Sequence, residues 1–161
     1  MRILGIDPGL TRTGFGIIDV NNEILKLVDY GIVKPNNKDK LERRLLTIFK
    51  DMSKILDQYN PTIVCIEEVF YGKNVKSALL LGQARGAAML SAASKKINIF
   101  EYSAKKVKQS ITGNGNANKD QVKFMVGSIL DIKNFDIPLD ASDALAIALC
   151  HSQQFKINEL W

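Results

Sequence analysis

The chain has few cysteines and a single histidine, and it has no long apolar run. Its 161 residues include two cysteines, Cys65 and Cys150, each standing singly inside an apolar segment. No Cys-x-x-Cys and no Cys/His metal spacing is present. A zinc ribbon and a disulfide-framed scaffold are therefore excluded, and two buried, reduced thiols are expected. No apolar run approaches the roughly 20 residues needed to span a bilayer, so no membrane association is expected. Met1-Arg2 leads directly into an apolar strand instead of a signal peptide, which gives the expectation of a cytoplasmic protein. No repeat and no linker-like stretch divides the chain, so a single domain over 1–161 is expected.

Hydrophobic content of 46% and charged content of 24% are ordinary for a globular protein with a proper core. The formal net charge of +5 suits a polyanionic partner. Its distribution says more. Lysines crowd between Lys105 and Lys123, whereas several acids stand alone at the ends of apolar runs.

Apolar runs over 2–7, 14–20 and 25–33 read as three strands, and their short Gly-, Asn- and Asp-rich connections predict an antiparallel meander. From 39 to 59, Leu41, Leu45, Ile48, Met52, Ile55, Leu56 and Tyr59 repeat at helical period, and Asn60-Pro61 ends the helix. The continuous β-branched run 62–67, TIVCIE, predicts a fourth strand buried on both faces, hence parallel and central. A long helix over 74–95 and a fifth strand over 97–102 follow. Ser103 reads as the N-cap of a short helix to 111, GNGNAN (113–118) as a flexible turn, and Asn118 as the cap of a helix to 132. A loop with Pro138 leads to a last helix over 140–154. The fold expected is α/β, a five-stranded mixed sheet with helices on both faces.

Within this frame five acids share an unusual placement. Asp7 ends the first strand, Glu67 and Glu68 end the fourth, and Asp140 and Asp143 lie one turn apart at the start of the last helix. Each alone has an ordinary explanation: Asp140 as an N-cap, Asp143 as a first-turn acid on the helix dipole, Glu68 as a solvated strand end. Asp7 is the hardest to explain that way, because strands avoid Asp. If the first and fourth strands are neighbours, Asp7 meets one of the two glutamates beyond their carboxyl ends. Converging carboxylates repel unless a cation intervenes, and oxygen-only ligands suit Mg²⁺ or Mn²⁺. Two such ions would clamp the attacking and leaving oxygens of a phosphodiester.

Four blocks then carry a resemblance: GIDPGLTRTGFGIID, IEEVFYGKNVKSALLLGQARGAA, YSAKKVKQSITGNGNANKDQV and DASDALAIALCH. In order and spacing, over nearly the whole chain, they resemble the RuvC family of Holliday-junction resolvases. The resemblance implies a ribonuclease H-like fold, a homodimer, and Mg²⁺-dependent symmetric nicking of four-way junction DNA in recombination and repair, with Mn²⁺ able to substitute. It also implies a branch-migration partner of the RuvA-RuvB type. Matched residue by residue, it assigns catalytic and metal-binding roles to Asp7, Glu67, Asp140 and Asp143. The choice of Glu67 over Glu68 comes from that match. Glu68 stands where relatives often carry Gln.

For substrate handling, the resemblance places a base-contacting aromatic at Phe70, with Tyr71 beside it, and puts Lys108 and Lys119 around the site. An exposed aromatic next to a nuclease centre can stack on an unpaired base, and lysines beside flexible Gly/Asn backbone can hold phosphate. Gly82 and Gly86 suggest either close helix packing or a dimer seam. His151, eight residues beyond Asp143 and about 80° off its face, is given no catalytic role. The competing functions are a nuclease of the same fold acting on structured RNA, a non-catalytic junction-binding module, and an actin-like ATPase, which shares the Asp-x-Gly loop but needs two domains.

Overall fold

The structure, a computed structural model, describes residues 1–22, 24–69, 74–133 and 136–158, with side chains described through residue 154. Phe70, Tyr71 and Trp161 lie outside the described residues. The described chain forms β1 (Arg2–Asp7), β2 (Thr13–Asn21), β3 (Ile24–Val33), α1 (Leu41–Tyr59), β4 (Ile63–Glu67), α2 (Val75–Ala93), β5 (Asn98–Tyr102), α3 (Ala104–Thr112), α4 (Lys119–Ile129) and α5 (Leu139–Asn158). The sheet runs β3-β2-β1-β4-β5. β1, β2 and β3 are the expected antiparallel meander, and β4 lies parallel to both β1 and β5. The continuously apolar β4 is buried on both faces, as its composition requires: Val64, Cys65 and Ile66 are fully inaccessible.

Alternation along the strands divides the core in two. Leu4, Ile6, Ile17, Val64 and Ile66 face α1 and α2, meeting Ile48, Met52 and Leu56 of α1 and Ala84, Ala88 and Ala92 of α2. Ile3, Ile18 and Cys65 face the other way, towards α5. α5 is itself covered on its far side by α3 and α4, through Val107, Ile111, Val122 and Val126. It is therefore apolar around its whole circumference, with every residue from Ala144 to Ser152 buried. Both cysteines are buried and free, as expected. His151 is a core residue, its Nδ1 2.7 Å from the Tyr102 hydroxyl and its ring against Phe100.

Several boundaries differ from the sequence-based expectation, each for a backbone reason. α1 begins at Leu41, not 39, because Lys40 is extended and offers no side-chain cap. α2 ends at Ala93 and α4 at Ile129, since Lys96 and Asp131 adopt left-handed φ values of 59° and 51°. α5 starts at Leu139 and runs on to Asn158. Asp140 thus lies inside the first turn and is not an N-cap. Ser103 and Asn118 do cap α3 and α4, Asn118 through a full capping box with Gln121. The 113–118 turn is more tightly tied than a flexible loop. Gln109 brackets it, donating to the Gly113 carbonyl at 2.8 Å and accepting from the Gly115 amide at 3.0 Å.

The approach of α5 to the sheet depends on missing side chains. A Cβ at Gly5 of β1 would fall on the Ala144 carbonyl oxygen, and one at Gly14 of β2 on that of Asp140. Neither obstacle is a movable side chain, so an added methyl must push the helix away. Gly5→Ala and Gly14→Ala should each destabilise the chain by about 1–3 kcal/mol, read as lowered midpoints in urea unfolding. Unchanged midpoints would show that α5 has slack against the sheet.

Candidate active site

β1 and β4 are adjacent and parallel, and the register pairs Ile6 with Ile66. Asp7 and Glu67 therefore leave the sheet side by side at the same end. Both follow the alternation of Ile3 and Cys65, so their side chains emerge on the α5 face. Glu68 points to the opposite face and is exposed, tethered through its amide to the Tyr102 carbonyl at 2.9 Å. Residue alternation thus separates the two glutamates that the sequence alone left side by side.

From above, α5 lowers Asp143 onto this strand end. Asp7, Glu67 and Asp143 line one cleft of about 240 Å³ with Lys108 of α3 and Lys119 of α4. Val107, Val122, Ala146 and Ile147 form its apolar walls. Larger clefts of about 610 and 750 Å³ lie elsewhere, one below α3 and α4 and one beside Arg2 and Asp19. Neither gathers carboxylates, so chemistry and not size marks the site. Asp140 stands to one side, its carboxylate 2.9 Å from the Arg12 guanidinium, although its charge still reaches Asp7. Of the other lysines between 105 and 123, Lys106 lies over the Tyr102 ring, 5.5 Å from its centre.

The electrostatics are those of an acid cluster short of positive charge. Burial first, then the charges of Glu67 and Asp143, push the Asp7 carboxyl up to about 8. Glu67 is also raised, mainly by burial and then by Asp143. Lys119 donates to Asp143 at 2.7 Å, and that bond raises the lysine in turn. Lys119 opens α4, at the positive end of the helix dipole, where a cation is locally disfavoured. Its contact with Asp143 offsets that placement. Among the described residues, no three Cys, His, Asp or Glu side chains already converge tightly enough to cage one ion. The reason is visible: Asp143 is turned to Lys119 and Asp140 to Arg12. The donor set is all oxygen and fits a hard divalent cation, given a change of rotamer in those two aspartates.

Sequence reasoning passed over Arg12 and Arg85. Arg12 was legible as the one cation in the loop that follows Asp7. Arg85, inside the largely apolar Ala- and Leu-rich run of α2, gave no sign of its partners. It donates from Nε to the Glu67 carbonyl at 2.9 Å and pairs with Glu101 of β5.

A mixed sheet of order 3-2-1-4-5 with carboxylates at the ends of its two central parallel strands and on the helix across them defines a ribonuclease H-like nuclease. The sequence model of the crossover junction endodeoxyribonuclease RuvC family matches residues 3–151. The chain belongs to that family, whose members are divalent-metal-dependent. It is 44% identical over 161 residues to the crossover junction endodeoxyribonuclease RuvC of Alkaliphilus oremlandii, covering all of this chain and 98% of that one. It is 47% identical over 150 residues to the Legionella pneumophila (strain Philadelphia 1) protein of the same name, covering 93% and 86%. The fold superposes on Thermus thermophilus RuvC in complex with Holliday junction substrate with a TM-score of 0.92, at 31% identity, covering 98% and 96% of the two chains.

An acid that keeps its proton in the fold but loses it on unfolding makes stability fall as pH rises. For Asp7 the loss begins above the ordinary value of 3.8 and is complete above about 8. With chelator present, Asp7→Asn should melt together with the parent chain at about pH 4 and several degrees above it at about pH 9. A constant gap across that range would mean that Asp7 is not desolvated in the metal-free fold.

Proposed function

We propose that this chain resolves four-way DNA junctions by Mg²⁺-dependent, symmetric paired nicking, as a homodimer. The observation that carries the reading is the convergence of Asp7, Glu67 and Asp143 with Lys108 and Lys119 in one cleft, in a chain of this family. Asp7, Glu67, Asp140 and Asp143 would hold the metal. When bound, Mg²⁺ supplies Lewis-acid stabilisation of the phosphodiester oxygens and lowers the pKa of attacking water, and Mn²⁺ can replace it. The chain's own groups do the rest. Asp7 and Glu67 are held on rigid strands, where a ligand's direction is set by the sheet. Lys119 would exchange Asp143 for a DNA phosphate, freeing the aspartate to hold the metal, and Lys108 would take a second phosphate. Hydrolysis in line leaves 5′-phosphate and 3′-hydroxyl ends. Phe70, and Tyr71 beside it, stack on bases opened at the junction.

The relative solved in complex with Holliday junction substrate supports junction DNA over structured RNA as substrate. A retained acid cluster argues against a binding module without catalysis. A branch-migration complex of the RuvA-RuvB type supplies the junction, and the site of action is the cytoplasm. No helix among the described residues is long and apolar enough to cross a membrane.

The second copy packs on α2. Leu79 and Leu90 are 64% and 60% exposed, and Val75 is 48% exposed. Gly82 and Gly86 fall between them on the same helical face, and a Cβ at either would meet nothing within 4 Å. Among the described residues, nothing packs closely on them. An open backbone flanked by leucines is suited to another helix, and a two-fold pair matches the symmetry of a four-way junction.

Two outcomes follow. Asp143→Asn should lower the nicking rate on a synthetic mobile junction with Mg²⁺ by about a hundredfold or more. Junction affinity should be kept or raised, because less negative charge then faces the phosphates. Glu68→Gln should nick normally. A dead Glu68→Gln, or an active Asp143→Asn, would refute the site assignment, and no nicking by the parent chain with Mg²⁺ or Mn²⁺ would refute the function. Separately, Leu79→Lys with Leu90→Lys should sediment as a monomer and lose coupling between the two nicks. A persistent dimer would move the interface elsewhere.

A further inference from the structure

We infer that Arg85 is a positioning residue for the metal site, acting through the backbone of Glu67. The inference rests on the reading of Glu67 as a metal ligand. Arg85 is on α2, across the sheet from the cleft, and touches none of the other site carboxylates. Its Nε donates to the Glu67 carbonyl at 2.9 Å. Its Nη2 pairs with Glu101, which stands on β5 opposite Ile66 of β4. The Arg85 side chain is only 17% exposed, whereas the Glu101 side chain is 46% exposed. The guanidinium is a rigid planar fork, so fixing one arm on Glu101 fixes the direction of the other.

That second arm falls where the strand most needs it. Glu67 is the last residue of β4, and its ladder partner Tyr102 is the last of β5. Beyond them the sheet no longer holds the chain. The only further backbone tether among the described residues there is the Glu68 amide on the Tyr102 carbonyl. Arg85 therefore fixes the peptide plane from which the Glu67 side chain departs. A metal ligand must be held within fractions of an ångström, and an outer group that orients one shapes affinity almost as much as a ligand does. Arg85 orients that residue by its carbonyl and does not itself occupy the carboxylate oxygens that would face the ion.

Simple electrostatics and positioning predict opposite signs. Removing a cation near an acid cluster should tighten divalent-ion binding if charge alone mattered. If Arg85 positions Glu67, removing it should weaken binding. The probe is Mn²⁺ alone, titrated into the full-length, DNA-free protein and read as loss of the free-ion paramagnetic resonance signal. Arg85→Ala should weaken Mn²⁺ binding by roughly tenfold, with junction affinity unchanged. Arg85→Lys keeps the charge but not the fork and should recover only part of the loss. In a Glu67→Gln background, Arg85→Ala should have no further effect, since the two act through one ligand.

Mn²⁺ binding by Arg85→Ala that is equal to or tighter than that of the parent overturns the inference. So does an equal further loss in the Glu67→Gln background, which would show general destabilisation. Should Arg85→Ala not fold, Glu101→Gln carries the test: it frees one arm of the fork and should weaken Mn²⁺ severalfold, and an unchanged affinity there refutes positioning. Glu67→Gln alone separates the two layers. Unaltered Mn²⁺ binding by that variant would remove both the ligand reading and the role of Arg85. Weakened binding by Glu67→Gln with an unaffected Arg85→Ala would remove only the latter.

Discussion

The closest constraint in this molecule is the contact of α5 with the backbone of β1 and β2. Gly5 and Gly14 bring a helix onto a sheet at a separation that no side chain could share. Everything at the site depends on that distance. Asp7 and Glu67 belong to the sheet, Asp140 and Asp143 to the helix, and Lys119 reaches Asp143 only because α4 rests on the far side of α5. The alanines at 144 and 148 are the helix's half of the same fit. Small residues here serve neither flexibility nor turns. They let two rigid elements set the spacing of four carboxylates.

The cleft so formed works against the stability of the metal-free chain. Buried acids that raise one another's pKa are a local penalty, and the fold tolerates them by pairing Asp143 with Lys119 and Asp140 with Arg12. Lysine at the first position of α4 and aspartate at the end of a core strand each break a local preference. Both breaks face the same small volume. Such concentration of locally unfavourable choices is what a site selected for chemistry, not for packing, looks like.

α2 joins two tasks that a reader of its pattern would keep apart. Its inner residues, Ala84, Ala88 and Ala92, pack on the sheet, and its outer face with Gly82 and Gly86 lies open. Between the two faces, Arg85 reaches the peptide of Glu67. The helix that meets a second copy in the proposed dimer is thus the one that braces the strand end of the active site. Whatever holds α2 in place also holds the Glu67 peptide.

By itself the sequence determined the elements and most of their order. Period-two and helical patterns located five strands and five helices, and the unbroken TIVCIE run announced a central parallel strand, because hydrophobic periodicity reports burial directly. The same reading set five acids at element ends and, through family resemblance, chose four of them. Helix ends were less legible where they depended on left-handed backbone at Lys96 and Asp131, which no strong glycine signal marks. Residue pattern without the resemblance left Glu67 and Glu68 undecided, and the tertiary structure puts Glu67 in the cleft, since that depends on which face of β4 receives α5. Tertiary structure alone decided that Arg12 and Lys119 hold Asp140 and Asp143, that Gly82 and Gly86 meet nothing among the described residues of their own chain, and that Arg85 finds the Glu67 carbonyl eighteen residues away. Those are contacts between separate elements. Spacing along a chain fixes which residues share a face, but only the packing of faces fixes what they touch.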